Sequence, residues 1–193
     1  MIVTQTTPPA YQPLTLTEVK LHLRVDGTDE DTLIATFIGA AVDTCQQITG
    51  RSLMAQAWKL TINEWADEIQ LPWPQVQTVS GIQYWDENGD PQTLDPALYE
   101  LSGATIYRAD GATYPELGKG PGVVQISYTA GYSAGNEAAQ QAAVPYGIKA
   151  WLLLTVGTLY DNRESIQTGV PGATAALPGR FTDSLLDRFK VYA

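Results

Sequence analysis

The chain has 193 residues, 44% of them hydrophobic and 9% aromatic, enough to bury a core in one domain or two small ones. Its 21 acidic residues outnumber 11 basic ones, and the net charge of −10 argues against tight binding to nucleic-acid phosphates, which needs clustered Lys and Arg. One cysteine, Cys45, allows no internal disulfide, and the longest apolar segment, 148–159, is broken by Lys149, Thr155, Gly157 and Thr158 and falls short of the roughly 20 residues of a membrane span.

Residues 1–13 read as an extended arm, because Pro8, Pro9 and Pro13 forbid helix there. The arm has no basic stretch and no long apolar core, which argues against a signal peptide. Residues 14–53 read as helical. Thr15 and Glu18 form a capping box ahead of Val19, Leu21, Leu23 and Val25, and Asp26-Gly27 ends this first helix. Thr28 with Asp31 opens a second helix, and Asp29, Glu30 and Asp31 suit its positive N-terminal end. Leu33, Ile34, Phe37, Ile38, Ala41, Val42, Cys45 and Ile48 recur at three and four residues, which gives one broad buried stripe. Gly50 is the expected stop.

The period then changes to two. Residues 54–132 read as an antiparallel β block of about six strands. Trp58, Leu60 and Ile62 alternate onto one face, and Ile69 and Leu71 form a short strand before Pro72-Trp73-Pro74. Another strand holds Val76, Val79, Ile82, Tyr84 and Trp85. Asn88-Gly89 reads as a tight hairpin whose two central residues need positive φ. Segments 98–101, 105–108 and 123–128 complete the block, punctuated by Gly103, Asp110-Gly111 and the glycines of 118–122. Residues 131–143 read as a Gly- and Ala-rich loop. Residues 144–164 read as a buried core helix, apolar on all sides, that ends at Asp161-Asn162-Arg163-Glu164. Strands gathered in one block argue for an α+β fold: a small bundle of about four helices with an inserted β block.

Residues 165–193 read as a flexible connector followed by a short docking helix. Gly169, Pro171, Gly172, Pro178 and Gly179 give the connector reach and little intrinsic order. Thr182 suits the N-cap, and Phe181 with Leu186 fits a hydrophobic staple. Leu185, Leu186 and Phe189 share one face, which Tyr192 extends. A helix this short is not stable alone and gains its order by docking on a partner or on its own core.

Catalytic patterns are weak. His22 is the only histidine, and between Leu21 and Leu23 it reads as a surface or edge residue. A Ser-His-Asp triad would have to use it, and no serine sits in a Gly-x-Ser-x-Gly elbow. One histidine and one cysteine cannot form an ordinary zinc site. Asp86-Glu-Asn-Gly-Asp90 superficially resembles a calcium loop, but Pro91 stands where the pattern needs glycine and no glutamate follows at the required distance. It reads as a solvated turn. Gly118-Lys119-Gly120 lacks phosphate-loop spacing, and Pro121 stands where a helix should begin. No catalytic, cofactor-binding or metal-ligating residue is assigned. Two alternatives stay open: a carbohydrate- or protein-binding β module, if Trp58, Trp65, Trp73 and Trp85 are exposed on one face, and an acid hydrolase, if two carboxylates share a pocket.

Several motifs in one order resemble a known family. Segment 14–25 followed by 29–34 resembles the opening of tailed-bacteriophage head–tail connector proteins, also called adaptors or head-completion proteins. Thr49-Gly-Arg-Ser-Leu53 is similar to the end of that family's long helix, and Ile69 to Pro74 to its strand–Pro–x–Pro step. Segments 123–132 and 144–164 resemble its last strand and turn and its third helix. The resemblance implies a ring, commonly of twelve subunits, below the portal. Such a ring passes DNA through its lumen without specific binding and receives the stopper or tail. It also implies a non-enzymatic virion protein at the head–tail interface, present in the host cytoplasm during assembly, with no membrane role and no cofactor. The large β block departs from smaller, nearly all-helical relatives. An acidic lumen would suit passage with little adhesion.

Under this reading Arg180, Phe181, Leu185, Leu186, Phe189 and Tyr192 are the portal-docking candidates, with packing on the chain's own core as the alternative. Loss of residues 181–193 is then expected to leave a folded protein that no longer binds portal. Arg51, Arg108 and Arg163 are candidates for subunit interfaces or core bridges, paired with carboxylates; a local cap or a solvated position is the alternative for each.

Overall fold

Helix formation starts where the sequence places a cap. In a computed structural model that describes residues 1–162 and 184–191, α1 (Leu16–Leu23) opens on the full capping box. Thr15 Oγ1 accepts from the Glu18 N–H at 3.1 Å and Glu18 Oε2 accepts from the Thr15 N–H at 2.7 Å. The helix ends earlier than Asp26-Gly27. Arg24 turns left-handed at φ 57°, and the Val25 N–H reaches the Lys20 carbonyl at 3.1 Å, which returns Val25 to the core. In α2 (Asp31–Thr49), Asp31 makes no reciprocal cap with Thr28. Its carboxylate instead pairs with Lys20 Nζ at 2.7 Å and ties α1 to α2. Gly50, at φ 65°, closes α2 as expected.

Residues 1–13 are extended, but part of the arm belongs to a sheet. Segment β1 (Ile2–Thr7) pairs antiparallel with β2 (Gln56–Ile62). The order then runs β3 (Glu68–Gln70), β4 (Val76–Trp85), β5 (Pro91–Thr93), a 3₁₀ turn at Pro96–Leu98, β6 (Tyr99–Ser102), β7 (Thr105–Arg108) and β8 (Val124–Ala130). The pairs are antiparallel throughout. They form a five-stranded sheet of order β1-β2-β8-β4-β5 and a three-stranded sheet of order β3-β7-β6. The fold is α+β. The strand number exceeds six because the arm supplies β1 and the short segment after Asp90 supplies β5.

The turn between β4 and β5 is not the tight hairpin that Asn88-Gly89 suggests. Trp85 faces Pro91, so five residues form the loop, and Gly89 alone among them has positive φ. Asp86 Oδ1 replaces the missing turn geometry by accepting from the N–H groups of Asn88 (2.9 Å) and Asp90 (3.0 Å).

Segment 131–143 is not all loop. Asn136 Oδ1 accepts from the Ala139 N–H at 3.0 Å and starts α3 (Glu137–Ala143), whose alanines favour helix. The α4 helix (Tyr146–Asp161) buries Ile148, Trp151, Leu152 and Val156 on one side only, and Tyr146 is 90% exposed. Among the described residues, no single helix is long and apolar enough to cross a membrane.

Two cores result. The helical core joins Val19, Ile34, Ile38, Val42 and Cys45 to Ile148, Leu152 and Val156. The β core joins Leu60, Ile69, Ile82, Ile106, Ile126 and Tyr128. They meet at Gly131, where a Cβ would lie 2.6 Å from the Met54 carbonyl carbon and oxygen. Only glycine allows that approach. Gln140 of α3 reinforces the seam: its Oε1 accepts from the Ala55 N–H at 2.9 Å.

Candidate assembly surfaces

The groups that carry chemistry in other proteins are placed here for structure. Cys45 is fully buried in the helical core, and burial pushes its thiol up to about 12, so it is held as a neutral thiol. His22 is exposed on α1. Gly118 closes a loop: its N–H donates to the Trp85 carbonyl at 2.9 Å, and a Cβ would meet the Asp86 carbonyl oxygen at 2.4 Å. Among the described residues, no group of three His, Cys, Asp or Glu side chains could hold a metal ion.

The C-terminal segment is fastened to the chain's own helices. A helical turn over 184–187 puts Leu186, 0% exposed, and Phe189, 9% exposed, into the helical core, with Leu185 packed beside them. The Phe189 ring approaches Gly147 so closely that a Cβ there would lie 3.2 Å from it. Arg51 Nε donates to the Phe189 carbonyl at 2.5 Å, and the Val191 N–H donates to the Thr49 carbonyl at 2.9 Å. The second bond uses a carbonyl left over where α2 ends. Asp187 and Arg188 face outward from the turn, and the Arg188 guanidinium lies 4.8 Å above the Phe189 ring. Of the docking candidates, Leu185, Leu186 and Phe189 are therefore gathered on the chain's own core. Arg180, Phe181 and Tyr192 lie outside the described residues, as does the connector.

The arginines separate in the same way. Arg51 bridges the end of α2 to the C-terminal turn. Arg108 pairs with Asp67 at 2.9 Å and donates to the Ala112 carbonyl at 3.2 Å, which holds the loop after β7 against β3. Arg163 lies outside the described residues.

The tryptophans of the β block stiffen it. Trp58 stacks on Trp73 at 4.9 Å with its plane 6° away, and its Nε1 donates to Ser52 Oγ at 2.9 Å. Trp65 stacks on Tyr114 at 4.6 Å and donates to the Pro115 carbonyl at 2.9 Å. All four side chains are half-buried, so they do not form the exposed aromatic face that a glycan platform needs. Tyr128, on the central strand β8, donates to the Pro72 carbonyl at 2.8 Å and locks the Pro-Trp-Pro step to the sheet. Beside that step runs a 690 Å³ groove lined by Met1, Ile62, Leu71, Trp73, Gly50 and Val191, where sheet, helices and C-terminal turn converge. Its carboxylates, Glu64 and Glu68, are exposed and have no apolar enclosure of the kind a catalytic acid needs.

Sequence reasoning missed the sheet role of residues 2–7. The signal was there: Ile2, Val3, Thr4, Thr6 and Thr7 are β-branched. The prolines that follow drew the reading toward an unattached arm.

Comparison with known proteins places this architecture. Residues 13–90 match the model of a family described as phage gp6-like head-tail connector protein. Solved structures share the fold along the whole chain. One is a chain from the neck of an empty GTA particle computed with C6 symmetry, 22% identical with a TM-score of 0.79. A second comes from the virion of a native gene transfer agent (GTA) particle, 23% identical with a TM-score of 0.76. A third comes from the neck of a native GTA particle computed with C12 symmetry, 22% identical with a TM-score of 0.76. Each alignment covers 100% of this chain and 97% of the other. No curated protein matches the sequence.

Proposed function

We propose that this chain is a phage head–tail connector protein that forms a ring below the portal at the head–tail interface of a virion. The carrying observation is the family match over residues 13–90, set in a fold shared from end to end with chains of a particle neck. In this reading about twelve copies extend the DNA channel and receive the stopper or tail. The role is structural. The net charge of −10 per copy supports it, because a wall of like charge lets DNA slide without adhesion.

Portal contact through the C-terminal segment stays within this proposal, with a different surface. Leu186 and Phe189 are committed to the core, so Asp187 and Arg188 present the turn outward. The test of the whole reading is a particle preparation lacking this chain. Filled heads without tails are expected; normally tailed particles would refute the connector role.

A further inference from the structure

The five-stranded sheet ends in two open edges. On one side, among the described residues, β1 pairs with β2 alone. On the other, β5 covers only Gln83–Trp85 of β4, and the Leu94 N–H caps the Ile82 carbonyl. Among the described residues, no strand pairs with the outer side of β4 over 76–81. Soluble proteins guard such edges with charge, proline, β-bulges or covering elements, and of these devices β1 and β4 carry bulges, at Gln5/Thr7 and at Val76/Thr78 and Val79/Gly81. Here β1 reads Ile-Val-Thr-Gln-Thr-Thr and β4 reads Val-Gln-Thr-Val-Ser-Gly-Ile-Gln-Tyr-Trp, neither with a charged residue nor a proline.

We propose that β1 of one copy pairs antiparallel with residues 76–81 of β4 in a second copy of this chain, so that neighbouring subunits share one continuous sheet. The inference rests on the connector reading, because a ring needs head-to-tail contacts between two different surfaces. Four features select this occupant. Copies that each carry a charge of −10 repel, and these edges are lines along which they can approach without setting like charges opposite each other. Lengths are similar, with six residues of β1 against six open residues of β4 that its two bulges shorten to four ladder positions. Thr and Gln on β1 meet Gln, Thr and Ser on β4, polar groups that bond across strands.

The fourth feature is parity. Strands β1, β2, β8 and β4 alternate in direction. A following copy in the same orientation therefore presents its β1 antiparallel to β4, and the alternation continues without a break. Pairing of β1 with β1 would give a closed dimer instead, and the ring could not grow. The register shifts in β4, between Val76 and Thr78 and between Val79 and Gly81, bend the strand, as a sheet that curves around an axis requires.

The test places Thr4→Cys and Thr78→Cys in one chain; both positions are exposed, and the native Cys45 is fully buried. A bis-maleimide about 8 Å long spans directly opposite and diagonal residues. In purified particles the double variant should give a ladder at successive multiples of the chain mass, and each single variant should stay monomeric. Ile2→Cys with Ser80→Cys preserves the same register if the first pair fails to incorporate. A dimer from Thr4→Cys alone, a cross-link to a different protein, or incorporated chain without a ladder would overturn the edge pairing and leave the connector reading standing. Absence of the wild-type chain from particles would overturn both.

Discussion

The two halves of the molecule treat their boundaries in opposite ways. The helical half is sealed: α1, α2 and α4 converge on one core, and the C-terminal turn closes it with Leu186 and Phe189. The large sheet buries one face of its central strands, and among the described residues both of its edges are unpaired. A chain that only had to be stable would protect both. The contrast assigns stability to the helical half and association to the sheet, and substitutions can separate the two.

The largest effect is expected in the seal. Leu186→Ala removes a fully buried side chain from the helical core and should cost about 2–5 kcal/mol, measured by urea unfolding. The same geometry revises the expected behaviour of a chain cut at residue 181. Without Leu186 and Phe189 the core lies open, so the truncated protein should be markedly destabilised as well as impaired in binding. Unchanged unfolding on Leu186→Ala would show that the turn is not part of the helical half.

The next effect lies at the seam between the halves. Gly131→Ala forces a Cβ onto the Met54 backbone, which cannot withdraw as a side chain can. A loss of about 1–3 kcal/mol is expected, with a drop in melting temperature as the readout. No change would mean that the halves move apart freely at this point.

These positions show what was legible in the sequence. The capping box at Thr15 and Glu18, the stripe of α2 and the period-two strands are local patterns that short windows specify; they stand in the structure, except that Leu21 and Ile48, read as part of the apolar faces of the two helices, are exposed. The α+β class followed from their order. Long-range closure was not legible. Leu186 and Phe189 read correctly as one apolar face, but nothing local says whether the chain's own α4 or a partner receives it. The prolines after β1 hid its pairing with β2, fifty residues away. Asn88-Gly89 looked like a two-residue turn because the Asp86 side chain, which makes the wider loop workable, carries no signal distinct from solvation. Segment 137–143 was hidden by flanking glycines although Asn136 supplied a cap. The likeness to connector proteins, which the family match over residues 13–90 also carries, was legible from motifs in order, whereas the open edges are a property of topology.

A smaller effect probes the tie between α2 and the C-terminal turn. Arg51→Ala deletes the charged donor to the Phe189 carbonyl and should cost about 1.5–3 kcal/mol. Arg51→Lys should recover little, since Lys lacks the side-on Nε–H. If Arg51→Ala left the fold unchanged but released copies from the particle, Arg51 would belong to a subunit interface instead, as the sequence first suggested.

The smallest effect belongs to the exposed loop beside the open edge of β4. Hydrogen bonds from the Asp90 backbone, then from Gln92, Asn88 and Gly89, hold the Asp86 carboxyl below its ordinary value of 3.8. A carboxylate with a depressed folded value stabilises the fold fully above the unfolded value and loses that contribution as pH falls through the folded one. Wild type and Asp86→Asn should therefore differ at neutral pH and converge in acid below 3.8. The residue lies half-buried at the protein surface, so the difference should be a small shift in melting temperature. A gap that persists unchanged into acid would place the Asn effect in loop shape and not in charge. The loop sets where β5 begins opposite Trp85, so the same variant also tests whether the open stretch 76–81 depends on that start. If Asp86→Asn leaves the cross-link ladder intact while lowering stability slightly, edge and turn are independent, and the sheet's capacity to join copies resides in its strands alone.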